Sequence, residues 1–140
     1  MTNADIAVKW MDKARNDLLA AQRLFEFFNP KQLDISCYHC QQAGEKALKA
    51  VLIFREAVDE VPRTHDLEVL LNECASLDVG FDELRDDCAV LTPYATQTRY
   101  PGNREFNEPE TASALRKAER IVSFCAGLIG LTPPAGAPAE

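Results

Sequence analysis

The chain has 140 residues, of which 46% are hydrophobic and 26% charged. That length fits one domain, and the composition is that of a globular protein and not of a disordered or membrane chain. Fifteen Lys and Arg against 22 Asp and Glu give a net charge of -7 at pH 7, so the whole-molecule field repels polyanions. Long nucleic acid is therefore disfavoured, and any anion site has to be local. No apolar run reaches the roughly 18 residues that span a bilayer, and residues 1–10 lack the basic, apolar, small-residue order of a signal peptide. The expectation is a cytoplasmic protein with no membrane partner. Five Cys, at 37, 40, 74, 88 and 125, are an odd number in a chain able to build its own core. They read as reduced thiols packed as small hydrophobes.

The first segment carries Trp10, Ala14, Leu18, Ala21, Leu24, Phe25 and Phe28 at steps of three and four, which is helical period. Asn29-Pro30 should end it, since the residue before proline is pushed out of the α region. Asp34 offers the next N-cap. From Ile35 to about Arg55 the apolar residues cover most of a second helix, and its polar residues Gln42, Glu45, Lys46 and Lys49 form one narrow stripe. Val61-Pro62-Arg63-Thr64 makes a break. Thr64 with Asp66 then suits the N-cap and first-turn acid of a short helix through Leu67, Leu70, Leu71 and Cys74 that ends near Ser76.

A fourth pattern runs through Phe81, Leu84, Cys88 and Leu91, meets Pro93, and continues with a kink toward Arg99. Tyr100-Pro101-Gly102-Asn103 is a turn or loop start. Asn107-Glu108-Pro109-Glu110 combines an N-cap, an early proline and a Glu three residues after the cap, so it opens the last helix. That helix buries Leu115, Ala118, Val122, Cys125 and Ile129. The tail at 132–140 is rich in Pro, Ala and Gly and has nothing to pack. The fold class is therefore all-α, an up-and-down bundle of about five helices over residues 1–131, with a mobile tail at 132–140.

Four groups of residues have chemistry to offer. Cys37-Tyr38-His39-Cys40 has the close Cys and His spacing of half a zinc site. The second half is missing, because Cys74, Cys88 and Cys125 are isolated on other apolar faces, so core packing is the reading and no metal is expected. His65, between Arg63-Thr64 and Asp66, is either a group that meets an anion beside Arg63 or part of a capped helix start. Glu45, Lys46 and Lys49 are either a solvated face with an i, i+4 ion pair or a polar groove between helices. Thr98-Arg99-Tyr100-Pro101, with Tyr94 upstream and Arg104 downstream, is either a nucleotide-contact cluster of guanidinium groups and phenols or a helix C-terminal cap.

Three segments in order carry a resemblance. They are residues 38–50 with Gln41-Gln42-Ala43-Gly44-Glu45-Lys46-Ala47-Leu48-Lys49, then Pro62-Arg63-Thr64-His65-Asp66-Leu67, then Thr98-Arg99-Tyr100-Pro101. Together they resemble the HEPN domain family (higher eukaryotes and prokaryotes nucleotide-binding), over about residues 4–130. The resemblance implies a small helical bundle that forms homodimers, with polar residues of the long helices facing a cleft. It also implies nucleotide binding, metal-independent RNA cleavage, or non-catalytic partnership with a minimal nucleotidyltransferase, as in toxin-antitoxin pairs.

The RNase branch places a His shortly after an Arg near the end of the later helix, and here no His follows Arg99; His39 and His65 are the only two. The leading expectation is thus a homodimeric module that binds a nucleotide such as ATP or GTP, or a nucleotidyltransferase. Its expected site is Glu45, Lys46, Lys49, Arg63, His65, Tyr94, Arg99 and Tyr100, with no resident cofactor. The alternatives are a metal-independent RNase that uses His65, and a purely structural protein-interaction domain.

Overall fold

Thr2 starts the first helix through a reciprocal cap. Its hydroxyl accepts from the Asp5 backbone N–H at 3.1 Å, and its own N–H donates to the Asp5 carboxylate at 3.0 Å, so two backbone donors that a helix start would leave orphaned are satisfied. The protein is described by a computed structural model at residues 1–56, 60–98, 101–102 and 104–131. Among these, every regular element is helical: α1 Asn3–Glu26, α2 Leu33–Phe54, α3 Leu67–Ala75, a 3-10 turn Val79–Leu84, α4 Arg85–Leu91, α5 Tyr94–Gln97 and α6 Glu108–Leu128. The expected tail at 132–140 lies outside the described residues.

The differences from the sequence expectation are local. Phe28 lies beyond the end of α1 and is exposed, as is Phe27, so the apolar face of α1 stops at Phe25. α2 begins with Gln32 as N-cap and puts Asp34 inside its first turn, where a carboxylate meets the helix dipole without capping a backbone N–H. Asp66, not Thr64, caps α3: its carboxylate accepts from the N–H groups of Glu68 and Val69. Thr64 instead accepts from the Asp66 N–H at 3.1 Å. The expected fourth helix is three pieces, a 3-10 turn, α4 and α5, with Pro93 standing between α4 and α5. Counted as one kinked unit they make five helices. The last helix opens as expected, the Asn107 side chain accepting from the Glu110 N–H at 2.8 Å, with Pro109 in the first turn.

α2 is the axis of the bundle. Fourteen of its 22 residues are buried, and the contacts that enclose it give the helix directions. Ser36 donates to the Ala21 carbonyl at 2.8 Å, Lys46 pairs with Asp17, and Lys49 lies near Trp10, so α1 runs antiparallel to α2. Cys37 meets Thr111, and Gly44 faces Ile121, so α6 runs parallel to α2. Asp87 pairs with Arg120, and Tyr94 bonds Glu110, so α4 and α5 run back along α6.

The chain leaves α2 at Phe54, and by His65 it is again beside Gln41 and Glu45. That is a return of about two and a half turns along α2 at 3.6 residues per turn. Gly44 lets α3 come in there: a Cβ at 44 would stand 3.2 Å from the Leu67 side chain.

All five cysteines are free and buried, and all belong to the core around α2, Cys37 lying against Thr111. Burial pushes the Cys37 thiol up to about 11 and those of Cys74 and Cys88 up to about 12, and raises Cys40 and Cys125 as well. Thiolate, the reactive form, is thus suppressed on top of steric protection. The native protein at pH 8 should show no fast reaction with a disulfide reagent, and guanidinium should release all five thiols. One fast native thiol would mean that a cysteine faces solvent.

Candidate functional site

Glu45 is the centre of the polar stripe on α2, and it is buried. Its Oε2 accepts from Lys49 Nζ at 3.0 Å, one helical turn on, and its Oε1 lies 2.7 Å from His65 Nδ1. Gln41, one turn earlier and fully buried, donates to the same Oε1 at 3.3 Å and to the His65 backbone carbonyl at 2.8 Å. Gln42 in turn donates to the Gln41 side-chain carbonyl at 2.7 Å. The i, i+4 spacing of Gln41, Glu45 and Lys49 stacks them on one face, and the returning link brings His65 to that face. Lys49 Nζ also stands 5.8 Å from the centre of the Trp10 ring, so α1 closes the other side of the network.

Exposure separates the members. The side chains of Glu45 and Lys49 are 6% and 7% exposed, whereas His65 is 56% exposed. A buried charge needs a partner and satisfied hydrogen bonds, and Glu45 has three donors. His65 spends Nδ1 inward and presents the rest of its ring to solvent. Arg63, two residues earlier, is exposed and makes no ion pair with a described residue.

A second carboxylate lies farther along the α1–α2 seam. Asp17 accepts from Lys46 Nζ at 2.5 Å through Oδ2 and contacts His39 Nδ1 at 2.8 Å through Oδ1. Burial pushes the Asp17 carboxyl up, but the hydrogen bonds from His39 and Lys46 outweigh it and hold it below the usual carboxylate range. His39 therefore faces α1 while Cys37 and Cys40 face the core. The Cys-Tyr-His-Cys run does not converge, and no group of three or more metal-ligating side chains exists among the described residues.

Tyr94 stands apart from both groups. It is buried, and its hydroxyl donates to Glu110 at 2.7 Å. Arg104 grips the same carboxylate through Nη1 at 2.8 Å and Nη2 at 2.5 Å and stacks 3.9 Å from the centre of the Phe106 ring. Burial, and then the bond to Glu110, push the Tyr94 phenol above its usual range. The Arg104 hydrogen bonds hold the Glu110 carboxyl low. This cluster ties the loop before α6 to α5, near the Cys37 end of α2, where Thr111 of the same α6 turn meets Cys37.

Of the eight expected site residues, Glu45, Lys49 and His65 form one network, and Arg63 is exposed two residues before His65 on the same link. Lys46 belongs to the neighbouring Asp17 pair, and Tyr94 is a structural member of the α5–α6 clasp. Arg99 and Tyr100 lie outside the described residues. Sequence reasoning missed Gln41, Asp17 and Trp10. Gln41 had a signal, one turn before Glu45 on the same face; Asp17 and Trp10 had none, since their partners lie on another helix.

The HEPN domain family profile matches residues 7–128, and the chain belongs to that family. Two solved structures are similar over nearly the whole fold. TT1696 from Thermus thermophilus has a TM-score of 0.69 at 28% identity, covering 87% of this chain and 97% of that one. ST0689, described as an archaeal HEPN homologue, has a TM-score of 0.69 at 22% identity, covering 88% and 97%. No match is found among curated proteins. No helix among the described residues is long and apolar enough to cross a membrane.

Two measurements test the energetics. Lys49→Met removes the buried cation and leaves Glu45 short of a partner, which should cost about 3 kcal/mol in a denaturant titration. Adding Glu45→Gln to that variant should return part of the loss, because the uncompensated charge is gone. The second concerns acid. Asp17 and Glu110 have lowered carboxyls in the folded state, so below the ordinary carboxylate range the unfolded chain binds more protons. Their stabilisation is complete above that range and is lost as pH falls through the lowered values. The melting temperature should drop steeply below about pH 4, and less steeply in Glu110→Gln.

Proposed function

We propose that this protein is a HEPN module that works by binding: as a homodimer it holds a nucleotide such as ATP or GTP at the Glu45–His65 network, in partnership with a minimal nucleotidyltransferase. The observation that carries this is the division of the network into a buried base, Glu45 held by Lys49 and Gln41, and the solvent-facing ring of His65, with the exposed Arg63 two residues earlier on the same link. A phosphate needs cationic donors that are not already spent, and Lys46 and Lys49 are spent on Asp17 and Glu45. With a net charge of -7, a small phosphate meets the local cations while an extended polyanion meets the repelling field.

One observation favours RNA cleavage as a second reading. A carboxylate on His Nδ1 is the arrangement that orients a general base, and Glu45 holds His65 that way at 2.7 Å. Incubation with labelled single-stranded RNA, with and without divalent metal, separates the two: cleavage lost in His65→Ala would support the nuclease.

Titration calorimetry with ATP and GTP tests the binding reading. Arg63→Ala should weaken binding by about 1.5–3 kcal/mol, the worth of a charge-assisted hydrogen bond, while Lys46→Ala should leave affinity nearly unchanged. A larger loss in Lys46→Ala would move the site to the Asp17 seam. No binding of either nucleotide would leave a purely structural interaction domain.

A further inference from the structure

We infer that His65 is a phosphoryl-acceptor site, with Glu45 as the positioning residue that leaves Nε2 of the ring as a nucleophile for phosphoramidates and acyl phosphates. This goes beyond the nucleotide-binding reading and needs neither a bound nucleotide nor a partner protein.

Three features separate this ring from an ordinary surface histidine. Its Nδ1 lies 2.7 Å from Oε1 of a carboxylate that is 6% exposed, while the His65 side chain is 56% exposed. That carboxylate is held in place, because Lys49 donates to Oε2 at 3.0 Å and Gln41 to Oε1 at 3.3 Å. The His65 backbone is anchored too, its carbonyl accepting from Gln41 at 2.8 Å. A carboxylate in an ion pair with Lys49 is an acceptor only, so the contact puts the ring proton on Nδ1 and the lone pair of the neutral ring on Nε2. With Nδ1 against a buried group, the exposed area belongs to the rest of the ring, where the lone pair stands.

Attack on phosphorus builds positive charge on the imidazole, and a carboxylate already on Nδ1–H stabilises that charge without reorganisation. With phosphoramidate, the Nε2 lone pair forms the new N–P bond as the P–N bond of the donor breaks. The electron pair of the broken bond goes with the leaving nitrogen, which is protonated in the zwitterion and departs as ammonia. The ring keeps its Nδ1 proton, so the product is a phosphoimidazolium hydrogen-bonded to Glu45. The network supplies a nucleophile and a countercharge but no acid for the leaving group, since Lys49 and Gln41 are turned to Glu45. The donor therefore has to carry a group that departs unaided, the ammonia of a phosphoramidate or the carboxylate of an acyl phosphate, and not the alkoxide of a phosphate ester.

His39 is the internal reference. It has the same arrangement, Asp17 on Nδ1 with Lys46 on the second oxygen, but its side chain is 28% exposed and its ring packs edge to face with Tyr38.

The test is phosphorylation of the full chain by phosphoramidate, read by mass spectrometry and by phosphorus NMR in alkaline solution, where the P–N bond survives. The folded protein should take up one phosphoryl group at Nε2 of His65, about tenfold or more faster than at His39 and faster than at either histidine of the chain unfolded in urea. Acetyl phosphate should give the same product, and glycerol phosphate none. His65→Gln should abolish the fast uptake, and Lys46→Ala should leave it unchanged. Glu45→Gln should slow it by about tenfold and let the Nδ1 product appear, with the helical circular dichroism unchanged.

If Glu45→Gln unfolds, the parent protein still decides. Equal rates at the two histidines, a rate at His65 no greater than in urea, or a first product on Nδ1 would each overturn the assignment, showing an imidazole that the carboxylate does not activate. None of these outcomes bears on nucleotide binding, which calorimetry tests separately.

Discussion

The fold depends on keeping one carboxylate, that of Glu45, inside a helical bundle. An unpaired carboxylate there would cost several kcal/mol, so the chain has to bring partners to it. Lys49 comes from the same helix at no topological cost. His65 does not: it reaches Glu45 because the link after α2 runs back along that helix before α3 begins. That return also places Leu67 against Gly44, where a side chain would crowd it. The start of α3, the Gly in the middle of α2 and the buried Glu are therefore one requirement seen from three sides.

The helices were legible in the sequence where local chemistry decides. The Asn107-x-Pro-Glu start, the Pro30 stop and the apolar periods of α1, α2 and α6 are within-segment signals, and the corresponding ends fall close to where those signals point. The fourth helix was less legible. Apolar spacing through Phe81, Leu84, Cys88 and Leu91 is compatible with a continuous helix, but Gly80 packs so closely on Phe124 that a Cβ there would stand 2.9 Å from its ring. That close approach goes with a tighter 3-10 turn at Val79–Leu84, and no single-segment pattern contains it.

The site was half legible for a related reason. The stripe Glu45, Lys46 and Lys49 is visible on a helical wheel, but its sequence fits an outer face and a polar groove equally. The structure divides it at adjacent residues: Lys46 turns to Asp17 on α1, and Glu45 turns to His65 on the link. A rotation of about 100° per residue is enough to send neighbours to different elements. Tyr94 was ambiguous because a phenol beside arginines suits phosphate contact and structural clasp alike. Here Glu110 takes both the hydroxyl and Arg104.

Both histidines of the chain meet the same device, an interior carboxylate on Nδ1 that is also held by a lysine: Asp17 with Lys46 for His39, Glu45 with Lys49 for His65. The two differ in exposure, with side chains 28% and 56% accessible. Each lysine neutralises its carboxylate, so neither pair adds charge to the surface, and what each device contributes outside is an oriented ring. At the α1–α2 seam that ring lies against Tyr38 and serves packing. At the α2–α3 link the ring faces solvent, two residues after the exposed Arg63. The same internal chemistry thus gives a ring packed on Tyr38 in one place and a ring turned to solvent in the other, and the difference is made by where the backbone of the link runs.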